Sequence, residues 1–438
     1  MTVLALREGL SVARMAIGGA KLPVPTSFAV ALFVGLALAF AAWGPGRTPA
    51  LALLLPLLWV GAPSRATAFV LTGAYHLGVV RFLPEFAGNW FQSLTAGYGL
   101  WIAVGLLCGG AWALCWPKDR GALRVVLSAA AALVLTVVPP FGAVLPGHPL
   151  IGMGYLFPAS NWFGVCAFLL VTVAGCWLAR TWLPRRYPNR LCTGGVLMLV
   201  VAAFLWFVGA TPDSNGGKVA GRIGALDSRW GGYPKRDSLE VMSRISQVGL
   251  ATARLAGGDD GINTLIFAES VLGVYDPSLY PVIELEVLRK TRETGQTVVV
   301  GADLEYGDKQ LQKIAIVFRP DGSSSYLTAR QSVPVAEWKP WARENHFPGD
   351  WLATSTVDIG GGIRARIMFC YEEYLTGLHL LSEMQGEHQM VVAISNLWAS
   401  ENTLTSFVQA SHTEGMARLF GRKWVRAVNF PRPKVNGA

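Results

Sequence analysis

Cys370 ends the apolar run Ile367, Met368, Phe369, and Tyr371, Glu372 and Glu373 follow it at once. Apolar positions then recur at Leu375, Leu378, Leu380 and Leu381. The pattern predicts a short buried strand, a sharp stop and a helix. A thiol at such a junction lies beside backbone N–H groups and the positive end of a helix, and both favour the nucleophilic thiolate. Three more polar side chains stand at or near the ends of apolar runs. Glu269 ends NTLIFAE, and Arg330 and Glu337 lie in YLTARQSVPVAEW. Strand ends on one edge of an α/β sheet converge on a common crevice. Such a set suits acyl transfer through a thioester. The carboxylate takes the thiol proton, the thiolate attacks a carbonyl, and a cation with backbone N–H groups holds the oxyanion. A further element, Ser395-Asn396-Leu397-Trp398, follows another apolar run and shapes the pocket or orients its groups. Each residue also has a plainer reading. Free cysteine is commonly buried in cores, Glu269 can be a cap or an ion-pair partner, and Arg330 can be a hairpin arginine. Glu337 can pair with Lys339, and Glu372 can serve as a charge at a helix N-terminus.

The elements that would position these residues fill the second half of the chain. Composition shifts at Thr211–Lys218, TPDSNGGK, a turn-rich stretch that makes 212–221 a linker. After it, strands are predicted at Arg222–Asp227, Asn263–Ala268, Thr297–Ala302, Lys313–Phe318, Ser325–Ala329, Arg364–Phe369 and Met390–Ser395. Helices are predicted at Ser238–Leu255, Tyr280–Thr294 and Thr405–Phe420. Pro320-Asp321-Gly322 is a hairpin turn between two of the strands. Repeating β-α-β units with hairpins imply a layered α/β domain over 222–438.

The first half is a different material. The 438 residues are 52% hydrophobic, yet only Glu8, Glu85 and Asp119 of the 28 acidic residues precede Asp213. The positive net charge therefore belongs to loops around apolar segments and is no nucleic-acid footprint. Seven apolar runs, near 26–44, 48–63, 66–83, 95–116, 122–139, 160–179 and 191–210, are candidates to cross a hydrocarbon core of about 30 Å. With the N-terminus cytoplasmic, the inside loops hold Arg7, Arg14, Lys21, Arg65, Lys118, Arg120, Arg124, Arg180, Arg185, Arg186 and Arg190. The outside loops hold Arg47 and Arg81. The expectation is a multi-pass membrane domain over 1–211 in a bacterial inner membrane, with the α/β domain in the periplasm. Paired intramembrane carboxylates and arginine ladders are lacking, which argues against a transporter or channel. Five of the six cysteines lie in the first half, and no Cys/His spacing suits a metal, so neither metal nor cofactor is expected.

The set Glu269, Val333-Pro334 with Glu337, Cys370-Tyr371-Glu372 and Ile394-Ser395-Asn396 with Trp398 resembles the carbon–nitrogen hydrolase (nitrilase) superfamily. A multispan half followed by such a domain is similar to apolipoprotein N-acyltransferase. The wording ARQSVPVAEW looks closer to the TraB conjugal-transfer family of Ti-type and related rhizobial plasmids. The resemblance implies an αββα nitrilase-like fold, with Glu269 as general base, Cys370 as nucleophile and Glu337 as an additional active-site carboxylate. Tyr371, Glu372, Asn396 and Trp398 would then line the substrate pocket. It implies a phospholipid acyl donor in the bilayer and envelope or conjugation proteins as partners, with no direct nucleic-acid binding. The family's triad lysine should lie just before Val333-Pro334, where this chain has Ala329-Arg330; Arg330 keeps the charge but cannot exchange a proton near neutral pH. Lys313 and Lys339 do not fit the motif position. Asn396-Leu397-Trp398 is one residue shorter than the acyltransferase pattern. Beyond Asn429 the resemblance leads one to expect a further strand pair, which residues 430–438 do not supply, so the domain is expected to be incomplete at that end. Two readings stay open: a membrane-bound amidase or N-acyltransferase using Glu-Arg-Cys, and a catalytically inactive nitrilase-like envelope component of a conjugation system.

Overall fold

The computed structural model describes residues 24–119, 121–182, 200–212, 217–234, 239–256, 261–306, 310–342, 344 and 346–433. The N-terminal half is helical: α1 Val24–Ala42, α2 Leu55–Gly61, α3 Arg65–Val79, α4 Leu83–Phe91, α5 Leu94–Leu114, α6 Ala122–Leu135, α7 Ile151–Leu156 and α8 Asn161–Trp177. Among the described residues, three helices are long and apolar enough to cross a membrane: Pro25–Ala42, Leu94–Leu114 and Asn161–Thr181. The pair α3 and α4 becomes a fourth if it is read as one span bent by 64°.

This differs from the seven predicted spans, for a physical reason. The runs at 48–63 and 122–139 form shorter helices. In the first, Leu55, Trp59 and Val60 are fully buried within the protein rather than presented outward. Apolar composition alone does not distinguish a lipid-facing helix from one inside a packed core. The seventh predicted span, 191–210, lies mostly outside the described residues; 200–208 are helical.

The second half carries two sheets. The first runs β1 Val219–Ala220, β2 Ile223–Ala225, β3 Thr264–Ile266, β5 Thr297–Tyr306, β6 Gln310–Phe318, β7 Ser324–Thr328, with β4 Val274–Tyr275 on β5. The second is ordered β11 Lys423–Asn429, β10 Met390–Asn396, β9 Arg364–Phe369, β8 Thr356–Asp358. Strands β2, β3 and β5 are parallel, as are β9, β10 and β11, while β5, β6 and β7 form an antiparallel meander. The helix α9, Leu239–Ala256, and the three-piece helix α10 (Tyr280–Ile283, Glu284–Leu288, Arg289–Thr294) flank the first sheet. The helices α11, Thr376–Gln385, and α12, Thr403–Leu419, flank the second. The expected α/β layering is therefore present, and β1 already occupies the end of the stretch read as linker.

The alternation along β9 explains how the two sheets share a core. Ala365, Ile367 and Phe369 face inward with Val299, Ile314, Val392 and Val425, while Met368 packs in the core on the opposite face. That opposite core is continuous with the helical half: it joins Met368, Val391, Leu378 and Met416 to Trp43, Trp59 and Ile151. Here α7 crosses α12 so closely that a Cβ on Gly154 would lie 1.8 Å from the Gly415 carbonyl oxygen. Tyr155 Oη donates to Ser411 O at 2.8 Å, and Gly147 N donates to His412 Nε2 at 2.7 Å. The two halves are thus packed as one body.

Candidate active site

The cysteine lies where the sequence pattern predicts, at the C-terminal end of β9. The strand stops at Phe369, a five-residue 3-10 turn covers Cys370–Tyr374, and α11 begins at Thr376. Cys370 has φ +29°, a conformation disfavoured for a non-glycine residue. Such strain persists only where the surroundings enforce it. They do so here: Gln409 on α12 donates from Nε2 to the Cys370 carbonyl, and Arg426 holds the Gln409 Oε1 at 2.8 Å. Arg426 is itself fixed by Glu373 at 2.9 Å, which also accepts from Thr413 at 2.8 Å and from Ser395. The Sγ lies 3.9 Å from Asn396 O and 3.7 Å from Gln409 Nε2.

Glu269 follows β3 and reaches the same place. Its segment lies so close to β5 that a Cβ on Gly301 would sit 2.5 Å from Glu269 Cα and 2.6 Å from Ala268 O. Only glycine admits that approach. The carboxyl of Glu269 is buried beside the Cys370 thiol, close enough for the two to interact electrostatically. Burial pushes its pKa up to about 8; Lys313 opposes the rise, while Glu337 and Asp303 add to it. Burial and the charge of Glu269 hold the Cys370 thiol well above the ordinary range. The turn's pull toward a thiolate is therefore outweighed, and the thiol stands protonated beside the Glu269 carboxyl.

The cation at this site is Lys313, not Arg330. The Lys313 Nζ lies 3.1 Å from Glu337 Oε1, 3.6 Å from Glu269 Oε1 and 3.7 Å from Asp303 Oδ1. It donates to Tyr233 Oη at 2.9 Å and Ser270 Oγ at 3.1 Å. Burial pulls its pKa down, but Asp303, Glu269 and Glu337 outweigh this and hold it well above the usual lysine range. Glu337 is further fixed by Tyr233 Oη at 3.0 Å and Val333 N at 3.3 Å.

Strand register explains why Lys313 was passed over. The pair β6–β7 sets Ile314 opposite Thr328, and the Ala329 N–H donates to Lys313 O at 2.9 Å. Lys313 is thus the cross-strand neighbour of Ala329, in the Ala329-Arg330 pair where the resemblance expects the lysine. Cross-strand neighbours project from the same face of a sheet. A lysine moved to the adjacent strand keeps its ammonium in the same pocket. The hairpin signal at Pro320-Asp321-Gly322 held that register in the sequence, and counting back from the turn would have found it.

Arg330 lies elsewhere. Its guanidinium reaches Met368 Sδ at 3.5 Å, on the helix-covered face of β9, and its charge partner is Glu372. Glu372 is not a pocket wall either. It is fully buried and accepts from the backbone N–H groups of Arg330, Gln331 (3.0 Å) and Phe369 (3.1 Å), bracing the turn against the 330–331 segment. Tyr371 Oη donates to Ala143 O at 2.9 Å and so ties the turn to the helical half. Asn396 supplies its carbonyl to the thiol, and its Oδ1 accepts from Asn429 at 2.9 Å. Trp398 borders the site: its ring lies 5.3 Å from Trp90 of α4, and Trp90 lies 6.2 Å from Tyr233. Lys313, Asp303, Tyr233, Gln409 and Arg426 are the members of the site that reading the sequence missed.

The arrangement can perform thiol acylation. A carboxyl sits against the thiol, an ammonium stands beside that carboxyl, and the N–H groups opening the 3-10 turn have no intrahelical partners. Among known proteins, the chain is similar to conjugal transfer protein TraB of Agrobacterium fabrum, at 29% identity over 91% of this chain and 93% of that one. It is also similar to a probable conjugal transfer protein TraB of Sinorhizobium fredii, at 25% identity over 86% and 92%. The resemblance to TraB conjugal-transfer proteins thus extends along nearly the whole chain. Solved structures similar to it include an amidase of the nitrilase superfamily from Nesterenkonia, at 15% identity, 47% of this chain and 75% of that one, TM-score 0.35. A carbon–nitrogen hydrolase from Helicobacter pylori matches at 11% identity, 47% and 72%, TM-score 0.37. No family model matches the chain.

Proposed function

We propose that this chain is a membrane-bound acyl-transfer enzyme, an amidase or N-acyltransferase of nitrilase type, that works in plasmid conjugal transfer. The observation that carries the reading is the joining of Glu269, Lys313 and Cys370 in one buried cluster, with the cysteine on a strained turn. In its carboxylate form Glu269 takes the thiol proton as Sγ attacks the carbonyl carbon of an amide or ester. The developing oxyanion is held by the Lys313 ammonium and the N–H groups of the turn. Collapse breaks the carbonyl–leaving-group bond, and the leaving amine or alcohol departs with the proton from Glu269. A thioester on Cys370 remains. An amine or water, deprotonated by Glu269, then attacks it and restores the thiol.

The TraB relatives support the setting in conjugation, and the three long apolar helices support a membrane-bound protein. The distribution of basic residues supports an inner-membrane placement with the N-terminus cytoplasmic and the α/β domain periplasmic. On this reading the acyl donor is a bilayer phospholipid and the acceptor is an envelope or conjugation protein. The reading as a catalytically inactive component rests on the missing motif lysine; the ammonium of Lys313 beside Glu269 supports the enzyme reading instead.

The test is intact-mass analysis of the full chain purified from membranes, with and without hydroxylamine. The expected result is an acyl increment on Cys370 that hydroxylamine removes, absent from Glu269→Gln. An unmodified thiol that ignores acyl donors and electrophilic thiol probes sinks the proposal.

A further inference from the structure

The short helix α4 belongs to the helical half but lies against the catalytic cysteine. Phe86 packs against the cluster of Cys370, Leu397 and Val428. Trp90, one turn on, stacks on Phe86 with ring centroids 6.0 Å apart. It meets Trp398 at 5.3 Å and Tyr233 at 6.2 Å. Residues four apart on a helix share a face, so α4 presents one aromatic face to the site. Two hydrogen bonds anchor it there: Asn89 Nδ2 donates to Ala399 O at 2.8 Å, and Glu401 N donates to Glu85 Oε1 at 3.1 Å. Behind it, a Cβ on Gly97 of α5 would lie 2.2 Å from Pro84 O and 2.9 Å from Gly88 N. The helix is therefore wedged between α5 and the loop after β10, as a fixed wall.

We infer that Phe86 and Trp90 are the acyl-selecting residues of the Cys370 site, and that they fit a substrate with an extended apolar acyl chain. This rests on the acyl-transfer reading above. The polar side of the site, built from Lys313 and the carboxyls, takes the reacting carbonyl. Phe86, Trp90 and Trp398, which meet the polar side only at Tyr233, border the site with rings that whatever is attached to that carbonyl can pack against. Aromatic faces gain from burying alkyl surface and offer a small polar acyl group little to bind. A chain-length preference is therefore written into a helix that lies outside the α/β domain.

The experiment uses the full-length protein in detergent with p-nitrophenyl acetate, hexanoate and dodecanoate. In each acylation the ester C–O bond breaks, nitrophenolate leaves with the electron pair, Sγ gains the acyl group, and the thiol proton passes to Glu269. Nitrophenolate release is corrected with Cys370→Ala, and the thioester is confirmed by mass. The unaltered chain is expected to prefer dodecanoate. Trp90→Ala is expected to lower its kcat/KM for dodecanoate by about tenfold while acetate changes less than about twofold. Trp90→Phe keeps the preference, and Tyr98→Ala, on an exposed aromatic of α5, leaves all rates unchanged. A parallel fall for every ester, or an unchanged preference in both Trp90→Ala and Phe86→Ala, overturns the assignment. If no ester acylates the unaltered chain, the acyl-transfer reading itself fails and this inference falls with it.

Discussion

Moving Lys313 across the strand pair to position 329 tests the proposed site more sharply than deleting it. Lys313→Met removes the ammonium but leaves Glu269, Asp303 and Glu337 facing one another in a buried cluster. Breaking a buried ion pair costs about 3–5 kcal/mol, because the partner stays buried and uncompensated. Removing one oxyanion donor costs about 100–1000-fold in rate. A loss in Lys313→Met therefore mixes folding with chemistry. The double variant Lys313→Ala/Ala329→Lys separates them. Residues 313 and 329 are cross-strand neighbours, and such pairs have Cβ atoms about 4.5–5.5 Å apart on the same face. The relocated stem enters the space the original one vacates, and the ammonium again meets the three carboxyls. The assay is the rate of thioester formation on Cys370 in purified full-length protein, followed by intact mass, with a thermal melt of each variant. Lys313→Met is expected to lose about 100-fold or more. The double variant is expected to recover to within about tenfold of the unaltered chain, as a cation restored at small displacement allows. A Lys313→Met protein that melts normally and acylates within about threefold of the unaltered chain would refute the assignment of Lys313 as the oxyanion cation.

Arg330→Met is expected to act on stability and not on chemistry. It leaves Glu372 without its charge partner, so the melt falls by the equivalent of about 1–3 kcal/mol while acylation per folded molecule stays within about threefold. The pH dependence follows from Glu269, which acts as base only when ionised: acylation should rise with pH and level off above about 8. The same shift sets the sign for stability. A carboxyl whose folded pKa is raised favours the folded state at low pH, and that contribution is lost as pH rises from the unfolded value through about 8. Glu269→Gln, which mimics the protonated form, should therefore melt higher than the unaltered chain at about pH 9 and no higher at about pH 4, while forming no thioester. Gly301→Ala places a Cβ against Glu269 Cα and is expected to cost about 1–3 kcal/mol by overpacking, with acylation falling because the base is displaced.

The places of Cys370 and Glu269 were legible because each ends an apolar run, and a run that stops at a polar residue marks a strand end. Glu337 was marked out by the family resemblance of Val333-Pro334 with Glu337. The cation was not, because linear motif reading ties function to position along the chain, whereas the pocket requires only position on a sheet face. Ala329 and Lys313 exchange the roles of spacer and cation without changing that face. Arg330 misled for the same reason. It neighbours the motif position in sequence, but successive residues along an extended strand point to opposite faces. Its side chain goes to Met368 and Glu372, on the other side of β9. Two opposing effects act on the thiol. Position at a helix start favours a thiolate, but burial beside a carboxyl works against it, and in this site the second effect dominates.

The helical half is expected from the sequence to be a multi-pass membrane domain because its apolar segments are measured only against the thickness of a bilayer. Their burial separates two uses of the same composition. On α5, Leu94, Tyr98, Ile102 and Leu106 are exposed at helical spacing, as a lipid-facing stripe requires. On α2 and α7, Trp59, Leu55 and Ile151 are fully buried and join the core beneath the second sheet. The glycine contact between α7 and α12 and the stacking of Trp43 on His412 at 4.5 Å place helical-half residues directly behind the helix that carries Gln409. Gln409 in turn holds the Cys370 carbonyl. The strained turn is thus supported from one side by the helical half through α12, and faced from the other by α4. An α/β domain severed near residue 212 would lose both supports. Its cysteine would be free to relax out of the positive-φ conformation, and the isolated domain should acylate at least about tenfold more slowly than the full chain even where its sheets still form.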